Sequence, residues 1–305
     1  MATKIEKVNY KGWPNCYRIS NDTLELMVTT DVGPRIIRFG FVGQDNEFKE
    51  YDAQLGRTGD SVWNIYGGHR LWHAPEADPR TYFPDNHPVR LTDHDGFVRL
   101  IQPLETTTGI AKEMDVALDP SQARVRVTHR LRNEGLWPVK LAPWALSVMN
   151  TGGTCIVPLP PRGTHPEHLL PANTLTLWRY TNMSDPRWTW GNKYILLRQD
   201  PTPSVKPQKI GASVPDGWIA YARKGHLFVV RFPFVASAEY TDHGCCVETF
   251  TNHEMLEVET LGPTVELAPS ASVEHVETWH LFDKVPVPAS DSDVEQHVLP
   301  RVRET

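Results

Sequence analysis

The chain of 305 residues has no apolar run as long as a transmembrane helix, and Met1 to Lys7 lack the apolar core of a secretion signal. The expectation is a cytoplasmic protein without a membrane partner. A net charge of −6 lacks the basic footprint of a nucleic-acid binder. The four cysteines (Cys16, Cys155, Cys245 and Cys246) show no Cys-x-x-Cys spacing, so a zinc ribbon is not expected. They are also too few to staple so long a chain, and buried free thiols are the expectation. Neither a Gly-x-Gly-x-x-Gly nor a P-loop sequence occurs, and no nucleotide cofactor is expected. The Gly-x-Ser-x-Gly elbow of a Ser-His-Asp hydrolase is missing as well.

Metal is not expected either. His69 and His73 are four residues apart, which on a strand is about 13 Å, too far for one ion. Asp93-His94-Asp95 and Asp242-His243 read as turns before Gly96 and Gly244. Long helical stripes are lacking; the best candidate, Asp291 to Arg303, is a short tail. No repeat of fixed period is visible, which argues against a propeller.

What the chain does have is period-two alternation. Thr23–Thr29, Ala123–Arg132, Gly225–Phe232 and Val273–Leu281 all alternate, and each predicts a strand with one wet face. Twenty-six scattered prolines punctuate many short elements. The class is all-β, a sandwich or barrel, and no composition break marks a domain boundary. Pro158 to Asn173 is the longest irregular stretch.

The densest chemistry lies in Gly67-Gly68-His69-Arg70-Leu71-Trp72-His73-Ala74-Pro75-Glu76. Two glycines permit φ > 0 or a close backbone approach. Trp and Arg stack on flat faces, while His and Glu exchange protons near neutral pH. That mixture suits a polar, ring-shaped molecule such as a sugar. Asp85-Asn86-His87 and Tyr82-Phe83 continue the run.

Four segments carry a resemblance: Asp31-Val32-Gly33-Pro34-Arg35-Ile36-Ile37-Arg38-Phe39-Gly40, the Gly67-Gly68-His69 segment, Glu248–Asn252 with Leu256–Pro263, and the turn Leu267–Ser272 with the strand through Trp279. Taken in order over residues 31 to 281, they resemble the galactose mutarotase-like superfamily, which includes aldose 1-epimerases. The resemblance implies a large antiparallel β-sandwich over residues 1–305, with 285–305 as a C-terminal tail. It implies a cleft for a mono- or oligosaccharide, in a carbohydrate-binding protein or an enzyme acting on a sugar. A non-catalytic relative, or a glycan lyase or hydrolase on the same fold, is the alternative. Two departures stand out. The stretch Leu141–Met149 has Trp144 and no histidine where the family's mutarotases carry one, and Ser270 stands where a glycine is usual.

Mutarotation needs a base for the anomeric hydroxyl and an acid for the ring oxygen. Glu257 and Glu259, two apart on an expected strand, share a face, where one carboxylate raises the pKa of the other. Either is the candidate base, Glu257 foremost, with Glu248 a third candidate. His69 is the expected acid. Arg70 and Arg35 (or Arg38 in its place) are expected to orient hydroxyls, Trp72 to stack on a sugar, and His73 to line the same wall.

Overall fold

The computed structural model describes residues 3–305. Two large sheets, every named strand pair antiparallel, face each other as a sandwich. The eleven-stranded sheet runs through Lys4–Tyr10, Trp13–Ser20, Leu24–Thr29, Arg35–Phe41, Gly68–Ala74, Val139–Met149, Leu256–Leu261, Val247–Thr251, Gln208–Ala212 and Leu175–Leu177, with Val265–Leu267 paired onto Val139–Met149. The ten-stranded sheet has Thr154–Pro158, Trp218–Arg223, His226–Arg231, Ser272–Phe282, Arg124–Asn133 and Ile110–Leu118 at its centre.

Between the sheets lies the main core. Phe39 and Phe48 from one side meet Phe228 and Trp279 from the other, with ring centres 5.5–5.9 Å apart in tilted and edge-on contacts. The strands Arg124–Asn133 and Ser272–Phe282 alternate buried and wetter positions, as their sequences predict. Leu24–Thr29 and His226–Arg231 do not have a wet face. Leu24, Leu26 and Val28 enter the inter-sheet core, while Met27 packs outward with Trp13, Val32 and Tyr66. Outside His226–Arg231 sits the tail. Val294, Val298 and Val302 cover Leu227 and Val229, in short helical turns opened by the Ser290 side chain, which accepts from the Asp293 N–H.

All four cysteines are free and buried. Among the described residues no helix is long and apolar enough to cross a membrane.

Candidate functional site

The Gly68–Ala74 strand sits between Arg35–Phe41 and Val139–Met149, and Leu256–Leu261 lies one strand further on. Gly67 and Gly68 launch it at φ 101° and 70°. A Cβ on Gly67 would collide with the Lys49 carbonyl oxygen, and one on Gly68 with that of Ile36. The close backbone approach expected of these glycines is what they provide.

Alternation along this strand sorts its side chains. Arg70 and Trp72 point to the outer face of the larger sheet, where Trp72 stands in register with Trp144. The same face carries Glu257 and Glu259, Glu248 opposite Glu259, and Lys209 opposite Phe250. Loops bearing Trp63, Tyr82 and Tyr180 rise around them. The result is a cleft of about 620 Å³ with Arg70, Trp72, Lys209 and Glu257 among its walls.

Two charged groupings form the floor. Arg70 Nη2 donates to Glu257 Oε1 at 2.9 Å, and its guanidinium lies 4.3 Å from the Trp72 ring centre and 5.5 Å from that of Trp63. Lys209 Nζ lies 2.7 Å from Glu248 Oε2 and 3.4 Å from Glu259 Oε2. It also sits over the Trp144 and Trp178 rings at 4.8 and 4.7 Å. Burial alone lowers the Lys209 ammonium, but Glu248 and Glu259 outweigh it and hold the group well above the ordinary lysine value. For Glu248 and Glu259 burial dominates instead, pushing both carboxyls up against the pull of Lys209. Trp144 Nε1 donates to Glu259 Oε2 at 2.9 Å. The Trp144 indole thus anchors a carboxyl under the cleft.

Of the residues expected from sequence, Arg70, Trp72 and Glu257 line one cleft. Glu259 and Glu248 lie a layer below, fully buried, and reach it through Lys209. The other three do not reach it. His69 points into the inter-sheet core, where its ring contacts His129 and Trp279. Burial, reinforced by His129, drives its imidazole well below the ordinary value. It is on the wrong side of the sheet to donate to a ligand held by Arg70. His73 points the same way and donates through Nε2 to Glu105 Oε2 at 3.3 Å, a carboxylate that Lys112 also holds at 2.5 Å.

Arg35 is enclosed. It pairs with Asp85 at 2.8 Å and donates to the carbonyls of Asn64, Ile65 and Gly67, so it braces the loops around the cleft. Arg38 pairs with Glu25. Ser270 adopts φ 63°, in the left-handed region that favours glycine.

Sequence reasoning missed Lys209, Trp63 and Tyr180. The loop residues have no periodic signal. Lys209 sits on a short strand, and its significance comes from cross-strand partners almost forty residues or more away in sequence.

The sequence matches no protein-family model and no curated protein sequence. Solved structures do match. A candidate aldose 1-epimerase from Klebsiella pneumoniae aligns at a TM-score of 0.60 and 11% identity, covering 99% of this chain and 87% of that one. A galactose mutarotase-like protein from Lactobacillus casei gives 0.56 at 11% identity, over 88% of this chain and 100% of the other. A galactose mutarotase related enzyme from Lactobacillus acidophilus gives 0.54 at 9% identity, over 90% and 99%. The chain has the galactose mutarotase-like fold.

Proposed function

We propose that the cleft binds a saccharide and performs acid/base chemistry at its anomeric carbon. One observation carries the reading. Arg70, Lys209 and Glu257 converge on one cleft whose rim carries Trp63, Tyr82 and the exposed Tyr180 ring. Sugar hydroxyls suit such a set of cations and carboxylate, and pyranose C–H faces suit the aromatic rim. The volume lies within the range of small-molecule sites.

In this reading Glu257 is the base for the anomeric hydroxyl, with Arg70 orienting its carboxylate. Lys209, held as an ammonium by Glu248 and Glu259, hydrogen-bonds the ring oxygen and stabilises the negative charge that develops there, while water supplies the proton that the ring oxygen takes. Proton-NMR saturation transfer with a panel of common aldoses tests this. The expected result is exchange between anomers faster than in buffer, lost in Glu257→Gln. No acceleration for any aldose sinks the chemistry.

The second reading is a non-catalytic saccharide-binding protein. It is favoured by the absence, among the described residues, of any histidine from the cleft walls. Its mark is binding without turnover that survives Glu257→Gln.

A further inference from the structure

The strand that builds the cleft also sends side chains between the sheets, and one of them enters a second cluster. His69 comes from the larger sheet; His129 and Glu277 come from adjacent strands of the smaller one. His69 Nε2 lies 2.7 Å from His129 Nε2 and 3.8 Å from Glu277 Oε2. The three donor atoms all fall within 4.8 Å of one another, and all three residues are buried. Nothing in the cleft chemistry uses them.

We propose that His69 Nε2, His129 Nε2 and Glu277 Oε2 bind one divalent transition-metal ion, zinc foremost, that ties the two sheets together. Two imidazoles and a carboxylate form a donor set that zinc accepts. Both imidazoles are aimed by a partner on the far ring nitrogen, the pattern that orients metal ligands, and the Glu277 carboxylate is held at both oxygens. His129 Nδ1 donates to the His275 carbonyl at 3.0 Å, which leaves the Nε2 lone pair free. His69 Nδ1 meets Ser147 Oγ at 2.8 Å; as donor there, it frees its own Nε2. Glu277 Oε1 accepts from Thr260 Oγ1 at 2.5 Å, and Trp279 Nε1 donates to Oε2 at 2.7 Å.

The spacing is suitable. Tetrahedral zinc with bonds of about 2.0–2.1 Å sets neighbouring donor atoms about 3.3 Å apart. The observed 2.7 and 3.8 Å bracket that distance and the third edge lies within 4.8 Å, so closing the site takes movement of the His129 ring and the Glu277 carboxylate toward each other. His275 stays outside the set, because its Nε2 is engaged by Thr260 Oγ1 at 2.6 Å. The competing arrangement is metal-free, with His69 Nε2–H donating to His129 Nε2.

The test is elemental analysis of the full chain without a histidine tag, as purified and after refolding with zinc. One equivalent of zinc per chain is expected. Refolding with cobalt(II) should give visible d–d absorption, and both signals should be lost in His129→Gln. Glu277→Gln changes shape least and covers the case in which His129→Gln does not fold. Less than about a tenth of an equivalent of any transition metal in the unmodified chain, under both conditions, overturns the proposal. So does a folded Glu277→Gln chain that retains its full metal content and cobalt spectrum.

Discussion

Arg70 and His69 are bonded neighbours that leave the sheet in opposite directions: Arg70 reaches Glu257 in the cleft at 2.9 Å, and His69 reaches His129 of the other sheet at 2.7 Å. One strand therefore serves two polar clusters that share no side chain. A disturbance of one need not alter the chemistry of the other.

Trp72 and Glu257 line the same cleft with different expected duties. Trp72→Ala is expected to weaken saccharide binding about tenfold, because the Arg70 guanidinium loses the ring it rests on. Glu257→Gln is expected to leave binding within a few-fold and lower turnover by about a hundredfold or more. Isothermal titration beside anomer-exchange NMR separates the two. Equal loss of binding in both variants contradicts this division of labour.

Arg35 is fully enclosed, and its pairing with Asp85 holds two loops. Arg35→Ala leaves Asp85 without its cation and takes one donor from each of three carbonyls. A loss of about 3–5 kcal/mol in unfolding free energy is expected from urea denaturation. A change below about 1 kcal/mol would mean that the loops hold themselves.

Glu105 gives a pH dependence. Burial raises its pKa, but Lys112 and His73 outweigh that and hold the carboxyl down to about 2, from the ordinary 4.5. A depressed folded pKa contributes stability above the unfolded value and loses it as pH falls through the folded one. The contribution, on the order of 3 kcal/mol, is full above about pH 4.5 and disappears toward pH 2. Glu105→Gln should flatten that limb of the stability profile. A variant whose acid unfolding tracks the parent chain through this window removes Glu105 from the account.

Ser270 sits at φ 63° on an exposed turn, in a region that costs an L-residue with a Cβ about 1–2 kcal/mol relative to glycine. Ser270→Gly is expected to stabilise the protein by about 0.5–1 kcal/mol, after the greater unfolded-state freedom of glycine is subtracted. Differential scanning calorimetry should show a higher midpoint, and a lower one counts against the strain.

Alternation in Arg124–Asn133 and Ser272–Phe282 was readable because one side of each strand stays wetter. It misled at Leu24–Thr29 and His226–Arg231, since polar residues there are paired or covered by the tail. Glu25 alternates as a surface residue does, yet Arg18 and Arg38 enclose it. In the candidate site, parity alone puts Glu257 with Glu259 and Arg70 with Trp72. The run from Gly67 to Glu76 looked like one wall because its polar residues are contiguous. A strand divides such a run in two, and which half faces the ligand depends on the opposite sheet, which local sequence does not encode. Lys209 acquires its role from register across the Gln208–Ala212, Val247–Thr251 and Leu256–Leu261 strands, so no local pattern announces it.

The Arg35 guanidinium grips Asn64, Ile65 and Gly67 on one loop and Asp85 on another. Trp63 and Tyr82, carried by those segments, are in edge-on contact with ring centres 5.5 Å apart. The aperture they frame is set from behind, by a residue that no occupant of the cleft touches. Under the proposed function this makes the cleft a fixed mould, in which a different occupant would be accommodated by exchanging the aromatic side chains at the rim while the brace behind them stays in place.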